Sequence, residues 1–393
     1  MWITRITLTN FRNYRQLDLC PPPHVAVFQG DNAQGKTNLL EAIHMLATTK
    51  SHRASSDREL ICHIDNGEDM PVTRLFAEVQ RARDDIQVEI ALRVERTGPV
   101  TGEMYVPSAE PLPSSLRKRI RVNGIARRAM DLVGQVNAVM FTAQDIDLLS
   151  GMPIYCRRYL DLVNSQTDSR YLRSLQRYNR VLLQRNHLLR LLQDHQAQPE
   201  QLEFWDKELV ENGSYLIRRR WQLVTVLNEL AEKIHQELSG GREKLKIVYL
   251  PSAGKEENLA EMESHFQQAL YQTRSREIGQ GVTLVGPHRD NLQFQVNEAD
   301  MSRYGSRGQQ RTIVLSLKLA EAQYMHTQMG DSPILLLDDV LSELDQARRQ
   351  HLLEFILPFQ QVLITATDLD LFEPSFLAQA AQFRVKQGNI ETV

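Results

Sequence analysis

The sequence predicts an α/β protein with a mixed sheet and an inserted, mainly α-helical domain. A short apolar stretch at 25–28 precedes a glycine-containing loop, and apolar residues then recur at helical spacing. A second apolar stretch, at 334–337, ends in two aspartates. Between these stretches, residues 154–238 contain few helix breakers, and leucines recur at helical intervals. Two strand-rich regions that enclose a helical segment account for this order.

The loop after the first apolar strand matches the phosphate-binding pattern G-x-x-x-x-G-K-[ST] at every constrained position. Its residues are Gly30, Asp31, Asn32, Ala33, Gln34, Gly35, Lys36 and Thr37. The two glycines let the backbone curl so that its N–H groups face phosphate oxygens. Lys36 then reaches the β/γ-phosphates, and the Thr37 hydroxyl ligates Mg²⁺. A chance match on a surface loop would lack the flanking strand and helix, so the loop predicts nucleoside triphosphate binding.

Composition limits the possible partners. The chain has 393 residues, of which 42% are apolar and 24% charged, as in globular proteins of two or three domains. The formal net charge of −3 excludes a generally basic DNA-coating protein, so any nucleic-acid surface is a local patch. Three scattered cysteines fit a reducing compartment and have no metal-site spacing. Without a signal-peptide pattern or a long apolar run, we expect a cytoplasmic protein with no membrane contact.

Alternating apolar and polar residues predict several strands in the first third of the chain. These are a strand at 2–9, one around Asp18 and Leu19, a hairpin at 72–80 and 86–94, and a strand at 119–122. The Gly- and Pro-containing stretch 95–115 is predicted to be a mobile surface loop of no assigned function. The cationic segment 49–53 fits either a loop that closes over a nucleotide or a plain solvated loop.

The helical domain is predicted at 151–279, with a break near Pro199. Residues 1–150 and 280–393 are predicted to form the other domain. Within the helical domain, 244–254 reads as a loose segment and 259–274 as a further helix.

An arginine-rich stretch lies in the first half of the helical domain, where residues 157–190 contain eight arginines and two aspartates. Arg173, Arg177 and Arg180 lie three and four residues apart, so they share one helix face. This face could contact DNA phosphates, or it could be a solvated face with some arginines turned inward. Because charge clustering is the footprint of nucleic-acid binding, we predict DNA contact here.

Two polar clusters follow the helical domain. Residues 286–291 are turn-rich and cationic and precede a strand at 292–296. Residues 304–311 contain Ser306, Gly308 and Gln309 and open a helix that runs to about Met329. Serine and glycine at a helix N-terminus form an anion-binding arrangement, although a simple N-cap has the same residues.

The second apolar strand carries the most specific of the later signals. Asp338 and Asp339 follow its apolar residues directly, at the strand edge where α/β ligand sites lie. Asp338 is suited to Mg²⁺ coordination together with Thr37, and Asp339 to orienting water against a γ-phosphate. Lys36, Asp338 and Asp339 are therefore the predicted catalytic residues, and Thr37 and Asp338 the predicted metal ligands.

The order of these motifs resembles the ABC-type ATPase head of SMC-class proteins. More specifically, the chain is similar to the RecF family of recombination-repair proteins. The motifs that carry the similarity are L-T-N-F-R-N-Y at 8–14, K-S-H-R at 50–53, G-P-H-R-D at 286–290, Y-G-S-R-G-Q-Q-R at 304–311 and L-L-L-D-D-V-L-S-E-L-D at 335–345. The resemblance covers nearly the whole chain except the 95–115 loop.

The resemblance implies roles for further residues. Ser306, Gly308 and Gln309 would contact the γ-phosphate of ATP held by a second subunit. Asp345 would line that interface, and Arg12 and Asn13 would lie near the nucleotide phosphates.

The sequence departs from the broader ABC pattern in two places. Asp339 stands where most ABC-type ATPases have glutamate, and Thr365, Ala366 and Thr367 replace the histidine after the last core strand. A shorter acid holds water less closely, so we expect slow hydrolysis.

Together these observations predict a weak, DNA-stimulated, Mg²⁺-dependent ATPase that forms ATP-dependent homodimers on DNA. The resemblance implies binding at gaps or single-strand/duplex junctions. It also implies work with RecR and RecO in recombinase loading, replication restart and SOS induction. A non-hydrolysing scaffold that uses ATP as a structural cofactor is the alternative. A transporter nucleotide-binding subunit fits poorly, because roughly 270 residues separate Gly35 from Ser306.

Overall fold

The structure is a computed structural model that describes residues 1–62, 72–96, 114–254, 256 and 258–393. Nearly all of the predicted 95–115 loop lies outside these residues. Within them the strands are β1 (Trp2–Phe11), β2 (Tyr14–Leu19), β3 (His24–Gln29), β4 (Val72–Gln80), β5 (Asp85–Arg96), β6 (Ser114–Val122), β7 (Ile125–Arg127), β8 (Ala138–Thr142), β9 (Leu245–Leu250), β10 (Asn291–Val296), β11 (Ala299–Asp300), β12 (Ile334–Asp338), β13 (Gln361–Ala366), β14 (Ala381–Lys386) and β15 (Asn389–Thr392).

Helices connect and flank these strands. They are α1 (Lys36–Thr48), α2 (Ala129–Leu132), α3 (Asp147–Ser150), α4 (Pro153–Thr167), α5 (Ser169–Gln193), α6 (Leu202–Leu238), α7 (Leu259–Gln280), α8 (Met301–Tyr304), α9 (Arg307–Met329), α10 (Gln346–Ile356) and α11 (Pro374–Leu377). Among the described residues, no helix has the length and apolar composition needed to cross a membrane.

The chain divides into two compact units. The first contains Met1–Ala143 and Gly330–Val393, and the second contains Gln144–Met329. We predicted that 280–329 belongs with the P-loop domain, whereas the structure groups these residues with the helical unit. The reason is visible in β10, which pairs with β9 of the helical unit along its whole length.

The first unit contains two six-stranded sheets. One is antiparallel, in the order β2-β1-β4-β5-β6-β7. The other has the order β15-β14-β3-β13-β12-β8, and all its pairings are parallel except that of β14 with β15. Strands β3, β12 and β13 are almost completely buried, which explains their continuous apolar sequences. One cluster of buried apolar side chains joins both sheets and α1.

The second unit is mainly α-helical and contains a three-stranded sheet, β11-β10-β9. Helices α5 and α6 are long, with 25 and 37 residues, and the predicted break lies between them. We predicted that 244–254 is a loose segment. This prediction is wrong, because the segment contains β9. Its alternation of buried Leu245, Ile247 and Tyr249 with more exposed residues is short, and it forms a strand because β10 pairs with it.

Candidate nucleotide-binding site

The loop between β3 and α1 depends on both of its glycines. A Cβ atom on Gly30 would lie 2.4 Å from the Val385 carbonyl oxygen in β14. Gly35 has φ of +118°, and a Cβ there would lie 2.6 Å from Nδ2 of Asn13. Because the first contact is with backbone and the second position is left-handed, no other residue fits either place without displacement. Asp31, Asn32 and Ala33 form the exposed tip of the loop.

Lys36 lies under this loop, and only 6% of it is exposed. Its Nζ donates hydrogen bonds to the main-chain carbonyls of Gly30 and, at 2.9 Å, of Asp31. Burial lowers the pKa of Lys36, and the nearby carboxylates of Asp339 and Asp338 oppose that shift. The ammonium group is thus close to both acids of β12 and its following turn, where it suits phosphate oxygens.

Residues far away in sequence fix the shape of the loop. Asn13 Nδ2 donates to the Gln34 carbonyl at 2.9 Å, and the Tyr14 hydroxyl donates to the Gly35 carbonyl at 3.0 Å. The turn between β14 and β15 adds a third contact, because the Gly388 N–H also donates to the Gln34 carbonyl at 2.9 Å. Asn13 was predicted near the phosphates, and the structure shows that it holds the loop backbone. The phosphate-binding pattern includes neither Tyr14 nor Gly388, although Tyr14 is the last residue of the L-T-N-F-R-N-Y motif.

Thr37 and Asp338 are 301 residues apart in sequence and in direct contact in the structure. The Thr37 hydroxyl donates to Asp338 Oδ1 at 2.8 Å, and the Thr365 hydroxyl donates to the same oxygen at 2.9 Å. The parallel pairing of β12 with β13 brings Asp338 and Thr365 side by side. A hydroxyl and a carboxylate at the ends of neighbouring elements are the oxygen donors that Mg²⁺ prefers. These residues therefore fit the ion predicted from the sequence.

Asp339 follows in an unusual conformation, with φ of 52° and ψ of 26°. Its N–H donates to the Thr365 hydroxyl at 3.0 Å, and its carbonyl accepts from the Ser342 hydroxyl at 2.8 Å. Its Oδ1 is buried without a hydrogen-bond partner among the described residues. Burial raises the pKa of Asp339, Lys36 opposes this, and Asp338 adds to it. A left-handed backbone and a buried oxygen without a partner are features that occur often at ligand sites.

Arg12 is held against α1 by Glu41, an acid that lies outside the sequence motifs. Its guanidinium donates to both oxygens of Glu41, at 3.0 and 2.8 Å, and Glu41 is completely buried. The Ser51 hydroxyl donates to the same carboxylate. The structure thus places Arg12 on Glu41, and its contact with phosphate stays a prediction. Because Ser51 is buried in this network, the 49–53 segment is not a plain solvated loop.

The Ser-x-Gly-Gln segment belongs to the second unit, at the N-terminus of α9. The Ser306 hydroxyl accepts from the Gln309 N–H at 3.3 Å, and the Gln309 side chain accepts from the Ser306 N–H at 3.1 Å. The segment is thus a reciprocal N-cap. Ser306 and Gly308 are exposed, and a Cβ on Gly308 would meet nothing within 4 Å. Gln309 also donates to Glu243 at 2.9 Å. Asp345, in the first unit, is an exposed N-cap of α10.

The three arginines predicted to contact DNA are all exposed on α5. Arg177 is ion-paired with Glu208 at 2.9 Å, and this carboxylate raises the pKa of Arg177. Arg173 donates weakly to Ser169 at 3.4 Å. Other arginines of the same region face inward, as the alternative interpretation proposed. Arg185 is completely buried against Asp206 and Glu277.

Gly286, Pro287 and Asp290 of the Gly-Pro-His-Arg-Asp cluster at 286–290 are buried, His288 is partly buried and Arg289 is exposed. Asp290 accepts from the Tyr249 hydroxyl and from the Ser252 N–H, and Arg220 lies 3.3 Å away. His288 is hydrogen-bonded to the Tyr178 hydroxyl at 2.6 Å, and burial lowers the pKa of His288 to about 4. The cluster therefore stabilises the second unit internally.

Comparisons with known proteins agree with this architecture. The family model described as the RecF/RecN/SMC N terminal domain matches residues 2–390. The chain is 46% identical over 396 residues to the DNA replication and repair protein RecF of Herpetosiphon aurantiacus, covering 99% of each chain. It is 41% identical over 394 residues to the protein of that name from Halalkalibacterium halodurans, covering 100% of this chain and 99% of the relative.

Solved structures give the same result. The structure of the recombination mediator protein RecF-ATP in the RecFOR pathway matches with a TM-score of 0.85 and 30% identity, covering 100% of this chain and 97% of that one. The Smc head domain of Pyrococcus furiosus matches with a TM-score of 0.55 at 14% identity, which shows the fold alone. The predicted fold class, an α/β ABC-type ATPase head with a mainly helical insertion, is confirmed. The chain belongs to the RecF family.

Proposed function

We propose that this protein is an ATP-dependent DNA-binding protein of recombinational repair. An ATP-driven dimer clamps gapped or junction DNA, and weak hydrolysis releases it. The observation that carries the proposal is the contact of Thr37 with Asp338, because it joins the loop motif to the acidic strand in one site. The relatives' names, which describe DNA replication and repair, supply the process. A similar solved protein is a recombination mediator in the RecFOR pathway, so RecR and RecO are the proposed protein partners.

The loop holds ATP through its own backbone and Lys36. The N–H groups from Gly30 to Gly35 and the start of α1 surround the phosphates. Lys36 exchanges its carbonyl contacts for phosphate oxygens. Thr37 and Asp338 hold Mg²⁺, which neutralises phosphate charge when it is bound.

Asp339 is the group that orients the attacking water. Its raised pKa makes it a better proton acceptor than an exposed aspartate, and its unpaired Oδ1 is available for a water molecule. The side chain is one methylene shorter than glutamate, so the water is held less closely and turnover is slow. Because of this short side chain, a non-hydrolysing scaffold is the second candidate function. In such a scaffold ATP only stabilises the dimer.

A second copy of the chain completes the site. Ser306 and Gly308 are exposed at the start of a 23-residue helix, where a hydroxyl, free N–H groups and the helix dipole suit a γ-phosphate. Gly308 has no neighbour within 4 Å of its Cβ position, so a phosphate can approach the backbone closely. In this arrangement each ATP lies between the loop of one copy and the Ser306 segment of the other.

The substitution Ser306→Arg tests the shared site. We expect unchanged ATP affinity in the monomer and loss of ATP-dependent dimers, measured by nucleotide titration and light scattering. Ser275→Arg places the same bulky charge on an exposed position of α7 and serves as the matched control. ATP-dependent dimers that persist with Ser306→Arg would contradict the proposal.

A further inference from the structure

One residue of the Ser306 segment is anchored to the interior of the second unit. Ser306 and Gly308 are exposed, whereas Gln309 is partly buried. Both ends of the Gln309 amide are engaged. Its carbonyl oxygen accepts from the Ser306 N–H at 3.1 Å, and its NH₂ group donates to Glu243 Oε1 at 2.9 Å. The orientation of this side chain is therefore fixed both from within the segment and from outside it.

Glu243 follows the turn that ends α6. Gly240 and Gly241 have φ of +62° and +75°, a left-handed conformation that glycine adopts without strain. Their N–H groups donate to carbonyls in the last turns of α6, at 3.1 and 2.7 Å. The Ser239 hydroxyl also accepts from the Glu243 N–H, at 3.4 Å. This turn brings the Glu243 side chain to the start of α9, where it contacts Gln309.

The second oxygen of Glu243 is held by a buried histidine. His235 is completely buried, and its Nε2 lies 3.0 Å from Glu243 Oε2. Its Nδ1 lies 3.2 Å from the Ser316 hydroxyl, which donates its own proton to the Thr312 carbonyl at 2.7 Å. Nδ1 is therefore a donor, and the contact of Nε2 with Oε2 needs a second proton between the two groups. Through His235, Glu243 is fixed to the same helix that carries Gln309.

We propose that Glu243 is a positioning residue for the Ser306 segment, an inference that rests on the proposed dimer with shared ATP. The cap on the Ser306 N–H depends on the orientation of Gln309, and Glu243 holds that orientation. The exposed hydroxyl of Ser306 and the N–H groups beside it are then already in place when the γ-phosphate of the second copy arrives. Groups that are ordered in advance bind more tightly, because less side-chain freedom is lost on association.

The arrangement of the Glu243 carboxyl group favours positioning over a role in stability alone. The side chain of His235 is completely buried, whereas 23% of the Glu243 side chain is exposed. The two oxygens have different partners, since Oε2 contacts His235 and Oε1 contacts Gln309. A carboxyl group that served only the histidine would not need the second contact. Glu243 thus joins the interior of the unit to the segment that faces solvent.

The dissociation constant of the ATP-dependent dimer tests the inference. Glu243→Ala removes the hydrogen bond to Gln309, which corresponds to about tenfold in affinity at each site. Because a symmetric dimer contains two Ser306 segments, we expect its dissociation constant to rise by about ten- to a hundredfold. Sedimentation equilibrium with ATP and Mg²⁺ measures this constant. We expect the ATP affinity of the monomer to stay unchanged, and thermal unfolding checks that the variant is folded.

Further variants distinguish positioning from a general loss of stability. Glu243→Gln keeps an oxygen that accepts from Gln309 and gains an NH₂ group that donates to Nε2 of His235, so we expect it to retain most of the dimer. Gln309→Leu removes the amide, and adding Glu243→Ala to it should weaken the dimer no further, because Glu243 acts through Gln309. Glu229→Ala removes a carboxylate from an exposed position of α6 and serves as the matched control, with no change expected.

The outcomes separate this inference from the proposed function. If the wild-type protein forms ATP-dependent dimers and Glu243→Ala dimerises equally well, Glu243 does not position the segment. Additive effects of Glu243→Ala and Gln309→Leu, or a Glu243→Gln variant as weak as Glu243→Ala, would also overturn the inference. If Glu243→Ala does not fold, Glu243→Asp replaces it, because it draws the carboxylate back from Gln309 by one methylene. If the wild-type protein forms no dimers with ATP, the proposed function itself is wrong and the inference fails with it.

Discussion

The pair of substitutions Asp338→Asn and Asp338→Ala separates the structural role of this residue from its role in metal binding. Oδ1 of Asp338 accepts two hydroxyl hydrogen bonds, from Thr37 at 2.8 Å and from Thr365 at 2.9 Å. Asparagine keeps an acceptor oxygen in the same place but removes the charge. Alanine removes the acceptor altogether.

The expected free energies follow from these contacts. A hydrogen bond to a charged group contributes about 1.5 to 3 kcal/mol, and a neutral one about 1 kcal/mol. With alanine, the completely buried Thr365 loses its charged acceptor, while the partly exposed Thr37 can bind water instead. We expect Asp338→Ala to lower the free energy of unfolding by about 2 to 3 kcal/mol, and Asp338→Asn by about 1 kcal/mol.

Nucleotide binding should depend on the negative charge of Asp338 rather than on its acceptor oxygen. The asparagine variant remains well folded, but it lacks the anionic ligand, so Mg²⁺ no longer strengthens ATP binding. Urea unfolding gives the stabilities, and titration of a fluorescent ATP analogue with and without Mg²⁺ gives the metal dependence. If Mg²⁺ strengthens ATP binding equally in the Asp338→Asn and wild-type proteins, Asp338 is not a metal ligand and the site has been assigned wrongly.

Two further predictions follow from the loop and from the second acid. Gly30→Ala forces a Cβ to within 2.4 Å of the Val385 carbonyl, so we expect a loss of about 1 to 3 kcal/mol in unfolding free energy and weaker ATP binding, measured by the same titrations. Unchanged stability would show that β14 moves freely away. Asp339→Asn should stop phosphate release while ATP-dependent dimers persist. Because burial raises the pKa of Asp339, hydrolysis by the wild-type protein should decline as the pH falls through that raised value, at a higher pH than for an exposed aspartate. Phosphate release that is unaffected by Asp339→Asn would rule out this residue as the group that orients water.

Local patterns in the sequence predicted the residues of the candidate site that belong to continuous motifs. The loop from Gly30 to Thr37 and the acids after β12 could be found because their spacing is set by the chemistry of phosphate and metal. Strand β3 and the buried part of β12 could be found because both faces of a central parallel strand are apolar.

The residues that hold the candidate site in place could not be predicted from local patterns. Gln34 is held by the turn at Gln387, 353 residues away in sequence, and no local pattern links the two. Glu41 is the single acid of α1, and its pairing with Arg12 depends on the fold bringing the turn between β1 and β2 to this helix. Strand β9 is short, and its partner β10 lies about 40 residues further along the chain, so composition alone read it as a loop.

The arginines show that local patterns also fail to predict the charge of a surface built from several elements. Helical spacing identified Arg173, Arg177 and Arg180 as one face, but it could not show that Glu208 of α6 neutralises Arg177. A second set of exposed arginines comes from three strands, and only the register of β4, β5 and β6 brings Arg74, Arg93 and Arg119 to one face of the sheet. Charge patterns within one element are thus readable from sequence, whereas patterns across elements require the fold.

In the proposed function, ATP acts by joining two copies of the chain on DNA. The most direct measurement is the molecular mass and the affinity for gapped DNA, determined on the same samples with ATP and Mg²⁺, with ADP and Mg²⁺, and without nucleotide. We predict dimers and tight DNA binding with ATP only, and monomers with weak binding in the other two conditions. Equal mass and equal DNA affinity in all three conditions would contradict the claim.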